Sequence, residues 1–331
     1  MNDILVSVII PTHNRTAPLR HLLQDLVSQH GIDPDRFEVL VVDSEAGSGS
    51  REVCDEFSTS RPSVRHHLAP NVLAAKRNHG ARHARGAILV FLDDDMRVDH
   101  SFLTAHIDAH REAGSVVSSQ IRFPESWVTR SNYYHYKNSR HRNSLTPDVP
   151  CEQIPANQIV AMSFSIRAGD YSTLGGFDET FRFYGGEDVE FGYRVVRHGL
   201  KNVYCPRAIS YHEEVDMDIR AFARKVYRAA YYGAPMVLDR APEAVDVRIF
   251  RLTEPRSAST GAEKAIRRTV RILNRVRVTE LVQTMLMRTD DLRPLFFPLL
   301  YDYVVLASTQ QAVDDRQAGR SDRTSTRGWG G

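Results

Sequence analysis

The sequence predicts an α/β fold: a mainly parallel, twisted sheet with helices on both faces, followed by a C-terminal helical extension. Three observations lead to it. Short, nearly unbroken aliphatic runs alternate with helical periodicity over the first third of the chain, the signature of β-α-β units joined by right-handed crossovers. These runs lack the apolar and polar alternation of a half-exposed strand, so they belong to strands covered on both sides. After a stretch without period, helical spacing returns from Glu263 to Met287 and less regularly to Ala307.

Taken in order, Ile4 to Ile10 is a strand interrupted only by Ser7 and stopped by Pro11. Leu19, Leu22, Leu23, Leu26 and Val27 form a helical stripe, with Thr16 placed as its cap and Gly31 beyond its end. Phe37 to Val42 repeats the strand signal, Glu52 to Ser58 reads as a short helix and Val64 to Leu68 as a weaker strand. Asn71 is placed to cap a helix carrying Ala74, Ala75, Ala81 and Ala84 that stops at Gly86, and Ala87 to Leu92 is again a buried strand. A helix over Ser101 to Ala113 precedes the strand Val116 to Phe123. Residues 123–158, rich in Tyr, His, Arg and Pro without period, read as a long excursion. Met162, Phe164 and Ile166 alternate with Ser163 and Ser165, a strand with one polar face. Gly175-Gly176 is a turn, Gly185-Gly186 opens a helix from Glu187 to His198, and Val203 to Tyr211 is extended. Residues 239–262 read as a linker, 263–312 as the helical extension and 313–331 as a polar, disordered tail.

Hydrophobic residues make up 42% and charged residues 25% of the 331 residues, which excludes collagen-like, low-complexity and disordered classes for the bulk of the chain. The 43 Lys and Arg nearly balance the 41 Asp and Glu, so no nucleic-acid partner is expected. Cys54, Cys151 and Cys205 lie far apart without a C-x-x-C spacing, which predicts neither a disulfide framework nor a thiolate zinc site and suits a cytoplasmic setting. The N-terminus lacks the basic region of a signal peptide, and no run reaches the roughly 20 apolar residues of a membrane span. The chain is therefore expected to be soluble or at most membrane-peripheral.

Asp93-Asp94-Asp95 directly follows the buried run Ile88 to Leu92. Three carboxylates at the carboxyl end of a central strand repel one another unless a cation or hydrogen-bond donors neutralise them, and ligands of such sheets bind at that edge. Oxygen ligands select Mg2+ or Mn2+; the competing explanation is a solvated loop in which an Asp caps a helix. Glu187-Asp188 starts a helix whose positive end stabilises carboxylates, while mutual repulsion lifts one pKa, a combination suited to a general base. A helix start merely enriched in acids is the alternative there. His106 and His110 have helical i, i+4 spacing but lack the Glu of H-E-x-x-H, so zinc is not expected between them.

In order and spacing, Val6-Ser7-Val8-Ile9-Ile10-Pro11-Thr12-His13-Asn14-Arg15, Val41-Val42-Asp43, Ala75-Lys76-Arg77-Asn78-His79-Gly80 and Phe91-Leu92-Asp93-Asp94-Asp95 resemble the nucleotide-sugar half of a family 2 glycosyltransferase of GT-A fold. Gly175-Gly176-Phe177-Asp178-Glu179 and Gly185-Gly186-Glu187-Asp188-Val189-Glu190-Phe191 are similar to that family's acceptor-side segment and its Glu-Asp motif; the resemblance covers residues 4–215. It implies a Rossmann-like GT-A sheet in which residues 1–121 bind the nucleoside-diphosphate sugar and 122–238 form the acceptor half with a long insertion. It further implies that Asp95 ligates the Mn2+ or Mg2+ bridging the donor's diphosphate, that Asp93 helps hold the nucleoside with Asp94 beside it, and that Pro11, Thr12, Asn14, Asp43 and Arg77 surround the base and ribose. Ser44 stands where the family often has a second acid. Asp188 falls at the general-base position with Glu187 next to it on the acceptor side, and His212 at a station where some members place a further metal ligand. The implied reaction is inverting, metal-dependent transfer to an acceptor hydroxyl of a glycan, a lipid-linked compound or a natural product. A sugar nucleotidyltransferase would carry a Gly/Lys-rich phosphate loop after the first strand, which Pro11 to Arg15 lacks; a carbohydrate-binding scaffold would not need both acidic motifs.

Two further regions invite a reading. Trp127, Tyr133, Tyr134, Tyr136, Lys137, Arg140 and Arg142 in the excursion suit stacking on an acceptor or holding a phosphate, with Trp127 and Tyr134 as acceptor contacts. Lys264, Arg267, Arg268, Arg271 and Arg275 fall within one third of a helix circumference, with Ile266, Val270, Leu273 and Val276 on other faces. Peripheral contact with anionic lipid is one expectation; the preferred one is that the apolar side packs on the catalytic domain or on a second copy of the chain.

Overall fold

The structure is a computed structural model that describes residues 4–322, apart from 60, 113–115, 142–149, 216, 247–252 and 254–259. Arg142, much of the expected linker and the last nine residues lie outside them. The chain divides into two units: residues up to 124 with 141–182 and 187–213, and residues 125–140 with 183–186 and those from 214 on.

The first unit holds one sheet. In chain order its elements are β1 (Val6–Pro11), α1 (Thr16–Val27), β2 (Phe37–Asp43), α2 (Ser50–Glu56), β3 (Ser63–Leu68), α3 (Leu73–His83), β4 (Ile88–Leu92), β5 (Met96–Val98), α4 (Phe102–Glu112) and β6 (Val116–Arg122). The short β7 (Glu152–Gln153), β8 (Ser163–Arg167), α7 (Ala168–Thr173), α8 (Glu187–Arg197) and β9 (Asn202–His212) complete it; α5 (Glu125–Arg130) and α6 (Asn132–Asn138) belong to the second unit. The strand order is β3-β2-β1-β4-β8-β6-β9-β5, with β7 beside β9. The first four are mutually parallel, β8 enters antiparallel between β4 and β6, and β5 runs antiparallel to β9. Strands β8 and β9, from the stretch read as the acceptor half, are thus members of the same sheet as β1 to β6.

The unbroken apolar runs are explained by the two layers they feed. Val6, Val8 and Ile10 pack with Leu19, Leu22, Leu23 and Leu26 of α1 and with Phe102 and Leu103 of α4, whereas Ile9 joins Ala74 of α3, Phe91, Phe164, Tyr171, Phe177 and Phe191. Ser7, the one polar member of β1, is buried because its hydroxyl donates to Glu38 Oε1 (2.7 Å) and accepts from the Gly86 amide (2.8 Å). The Glu38 charge is closed off by Arg65 and Arg85 at 2.8 and 2.7 Å. Gly86 passes so near β1 that a Cβ there would stand 2.5 Å from the Ser7 nitrogen and 2.6 Å from the Val6 carbonyl carbon. Backbone cannot yield as a side chain does, so Gly86→Ala is expected to destabilise the chain by about 1–3 kcal/mol. A lowered urea midpoint at unchanged slope is the expected reading, and an unchanged midpoint would count against this packing.

Several elements differ from expectation. The polar face of β8 is not exposed: Ser165 Oγ contacts His106 Nδ1 (2.7 Å) and His110 Nε2 (2.8 Å), and Ser163 Oγ donates to Ser119 Oγ (2.8 Å). The two α4 histidines therefore serve a buried network, and burial together with His110 pushes the His106 pKa down to about 3, which keeps that ring neutral. Helices α1 and α3 start without side-chain caps; Asn71 instead accepts from Lys76 Nζ (3.0 Å). The antiparallel β7–β9 pairing, Glu152 opposite Tyr204, brings Cys151 and Cys205 together as free thiols although the sequence separates them widely.

The second unit is helical: α5 (Glu125–Arg130), α6 (Asn132–Asn138), α9 (Ile219–Arg228) continuing through a π turn into α10 (Ala234–Arg240), α11 (Gly261–Arg275), α12 (Val278–Arg288) and α13 (Pro298–Gln317). The excursion is thus partly helical. Ser131 caps α6 by accepting from the Tyr134 amide, and Asn132 donates to the carbonyls of Thr289 and Leu292. Its polar and aromatic composition hides the helical period, because the buried positions are Asn132, Tyr133 and Tyr136 rather than aliphatic residues. Helix α13 runs five residues into the stretch expected to be disordered, as Val313 and Asp315 are fully buried.

On α11 the two sets of residues do not divide cleanly between inside and outside. Ile266, Ile272 and Val276 are exposed, whereas Arg267 and Val270 are buried and Arg271 Nε reaches Asp314 Oδ1 at 2.9 Å. Arg271 and Arg275 line an open cleft of about 980 Å³ together with Arg220, Arg224, Arg277 and Arg320. Helical periodicity alone does not reveal the pairing of Arg271 with Asp314 of α13. Among the described residues no helix is long and apolar enough to cross a membrane.

Candidate active site

The carboxyl ends of β1, β2 and β4 carry the acidic and polar residues singled out above. Pro11 ends β1 opposite Val42, and the Thr12 amide continues the ladder to the Val42 carbonyl (2.9 Å). The Thr12 hydroxyl donates to Asp94 Oδ2 (2.7 Å), while its carbonyl accepts from the buried Lys76 Nζ (2.8 Å). Asn14 has a positive φ of 53°, a left-handed conformation that Asn tolerates, and its amide donates to Glu45 Oε2 (3.3 Å). Asp43 is fully buried. Its carboxylate accepts from the Ser44 amide (2.6 Å), the Ser50 hydroxyl (2.6 Å) and the Ser48 hydroxyl. Burial would raise its pKa, but these donors outweigh that and hold it below the usual range.

The acidic triplet is split among different partners. Asp93 accepts from Arg77 Nη2 (2.8 Å), whose other nitrogen, Nη1, donates to Glu187 Oε1 (3.2 Å). Arg77 is buried at the centre of this arrangement, its guanidinium 5.3 Å from the Phe177 ring centroid. Asp94 and Asp95 are both buried and share one guanidinium, Arg15 Nη1, at 3.2 and 2.6 Å. Burial and the charge of Asp95 push Asp94 up to about 7. Asp95 goes the other way: burial opposes its charge, but His212 and Arg15 overcome it and hold the carboxyl far below the usual range.

Sheet register brings His212 here. The pairing of β5 with β9 sets Met96 opposite His212, so the imidazole Nε2 lies 3.5 Å from Asp95 Oδ2, and its buried Nδ1 has no hydrogen-bond partner among the described residues.

Glu187 and Asp188 begin α8, and the Asp188 carboxylate accepts from the Val189 amide (2.8 Å). Burial, then Glu187, raise the Asp188 pKa to about 7 against the pull of that amide and of Arg77. The Gly175-Gly176 turn ahead of them is held by Asn78: its Oδ1 accepts from the Phe177 amide (2.9 Å) and the Tyr171 hydroxyl (2.6 Å), and its Nδ2 donates to the Phe177 carbonyl (2.9 Å). Gly176 has φ +73°, and a Cβ there would meet Asn78 Oδ1 at 2.5 Å, so the position requires glycine.

The structure thus brings Thr12, Arg15, Asp94, Asp95 and His212 into one set of contacts and Asp93, Arg77 and Glu187 into another, the two meeting at the consecutive Asp93 and Asp94, with Asp188 next to Glu187 at the head of α8. Trp127 and Tyr134, expected as acceptor contacts, lie in the second unit, their rings 5.0 Å apart, and the Tyr134 hydroxyl donates to the Glu214 carbonyl (2.7 Å). Three residues that hold the site's elements in place were not singled out from sequence: Arg15, Lys76 and Asn78. Arg15 had a signal, since a cation at a helix N-terminus opposes the macrodipole and calls for an anionic partner. An Asn inside a helix likewise points to side-chain hydrogen bonding elsewhere.

The glycosyl transferase family 2 model matches residues 7–168, and a model described as the N-terminal domain of galactosyltransferase matches 145–218. Validoxylamine A glucosyltransferase of Streptomyces hygroscopicus subsp. limoneus is 30% identical over 224 residues, which is 59% of this chain and 49% of that protein. Chondroitin synthase of Escherichia coli is 26% identical over 244 residues, covering 63% of this chain and 34% of its own. The chain spans about half the length, or less, of these curated relatives. Among solved structures, the mannosyltransferase PcManGT of Pyrobaculum calidifontis in complex with GDP-Man and Mn2+ aligns with a TM-score of 0.63 at 15% identity, over 95% of this chain and 86% of that one. S. aureus TarS 1-349 in complex with UDP-GlcNAc aligns with a TM-score of 0.52 at 15% identity, over 97% and 93%. At such identities the likeness shows the fold. Most of the sheet's strands lie inside the match over residues 7–168, so this part of the chain is similar to family 2 glycosyl transferases, and the chain shares its GT-A fold with these structures.

Proposed function

We propose that the chain transfers a sugar, with inversion, from a nucleoside-diphosphate sugar to an acceptor hydroxyl in a metal-dependent reaction. The observation that carries this reading is the pairing of Asp95 with His212 on the same sheet edge that, through Asp93 and Arg77, is tied to the head of α8 and Asp188. The donor set fits Mn2+ or Mg2+: a carboxylate kept ionised, and an imidazole whose second nitrogen is buried without a partner, a combination that suits Mn2+ best. Asp95 and His212 would hold the ion. When bound, it would supply positive charge against the leaving diphosphate.

The chain's own residues do the rest. Arg15 fixes Asp95 and Asp94 in place, and the Thr12 hydroxyl anchors Asp94. Asp43 shapes the Ser44 to Ser50 loop beside the proposed nucleoside position and is itself saturated with donors. Arg77 ties Asp93 to Glu187 and leaves Asp188 as the carboxylate able to take the acceptor's proton. A pKa near 7 lets that base be ionised at neutral pH and still basic enough to accept a proton. With no covalent enzyme intermediate, a single displacement inverts the anomeric centre.

A screen of nucleoside-diphosphate sugars with Mn2+, reading release of the nucleoside diphosphate, tests the reading. Turnover of one donor class, lost in chelator, is the expected result. Formation of a nucleotide sugar from a sugar phosphate and a nucleoside triphosphate, or no turnover of any donor, would overturn it in favour of a nucleotidyltransferase or a binding protein.

A further inference from the structure

We propose that His67, His79 and His83 form a second metal site, separate from the acidic one, that binds a borderline transition ion, Zn2+ foremost. His67 lies on β3, the edge strand of the sheet, and His79 and His83 lie one turn apart on α3. Alternation along β3 sends His66 toward α2, where it meets Ser50 Oγ at 2.9 Å, and so turns His67 toward α3. One ring nitrogen from each of the three lies within 4.8 Å of the others. The ring centroids are 5.5, 4.8 and 4.3 Å apart.

Two features point to a ligand rather than to packing. His67 Nε2 is buried and has no hydrogen-bond partner among the described residues, a cost that a metal bond would remove. His83 Nδ1 contacts the His79 carbonyl oxygen at 2.9 Å. A carbonyl only accepts, so Nδ1 carries the proton and Nε2 keeps its lone pair, as in sites where a backbone carbonyl orients a ligating imidazole.

The donor chemistry selects the ion. Three imidazoles without a carboxylate suit zinc rather than Mg2+ or Mn2+, and leave a fourth position for water or an exogenous ligand. The nearest cations are themselves engaged, Arg65 with Glu38 at 2.8 Å and Arg82 with Glu179 at 3.8 Å. Tetrahedral bonds of 2.0–2.1 Å place donors about 3.3 Å apart, and the exposed His83 at the end of α3 has the freedom to close that gap. The ion would tie α3, which also carries Arg77, to the edge of the sheet.

The test uses the full chain, stripped with chelator and returned to buffer with excess Mg2+, titrated with Zn2+ by calorimetry and with Co2+ by visible absorption. One Zn2+ per chain at micromolar affinity or tighter, and the intense Co2+ bands of a tetrahedral site, are expected. His83→Gln should weaken Zn2+ at least about tenfold, and His79→Gln with His83→Gln should abolish both signals. Unchanged Zn2+ affinity in a folded double variant, or wild-type binding no tighter than millimolar, would overturn the proposal. Should the double variant not fold, the exposed His83→Gln decides alone: undiminished affinity sinks the site.

Discussion

Asp188→Asn is expected to lower sugar transfer by about 10²-fold or more, close to 2.7 kcal/mol of transition-state stabilisation, while donor affinity stays near the parental value. The amide preserves shape and the hydrogen bond from the Val189 amide but cannot take a proton. The pH profile sharpens the test. Because the Asp188 pKa is raised to about 7 by burial and by Glu187, the parental kcat/KM should climb as pH rises through that value, the ionised carboxylate being the active form. The acidic limb should vanish with Asn. Transfer at the parental rate would move the base elsewhere, with Glu187 first in line even though Arg77 already holds it as an ion-pair partner.

Chelation should abolish transfer, and Asp95→Ala should remove most of the activity without unfolding the chain. The fold should survive because Arg15 keeps Asp94 as a partner and Thr12 still donates to Asp94. Removing Asp95 also removes the charge that helps hold Asp94 near 7, so the Asp94 pKa should fall in the variant. Transfer, melting temperature and metal dependence measured together check this. Full turnover in chelator, or an Asp95→Ala variant as active as the parent, would end the metal assignment.

Much of the architecture is legible in the amino-acid pattern. Buried parallel strands leave aliphatic runs, and β1, β2, β4 and α1 appear where their periods place them. The acidic motifs are equally plain, since Asp93 to Asp95 and Glu187-Asp188 are contiguous in sequence and their meaning depends on one strand end and one helix start. Legibility fails where partners are distant. The Ser163 and Ser165 face of β8 reads only as polar, because a hydroxyl on a strand carries no mark of what covers it; α4 covers it with histidines. α6 escapes notice because its buried positions are Asn and Tyr. On α11 the wheel that separates basic from aliphatic residues does not show that Asp314 recruits Arg271, nor that Arg267 is buried along with Val270.

By itself the sequence determined the local units of this protein: which segments are strands or helices, where carboxylates gather at their ends, and that the strands need cover on both faces. These follow from side-chain periodicity and turn chemistry within a few residues. Tertiary structure alone decided the pairings across the chain. The β5–β9 register sets His212 beside Asp95, the antiparallel entry of β8 completes the sheet, Arg15 bridges two carboxylates some eighty positions away, and β3 faces His67 toward His79 and His83. The physical reason is that register is chosen by the summed packing of whole strands and helices, and a slip of one residue turns every side chain to the other face.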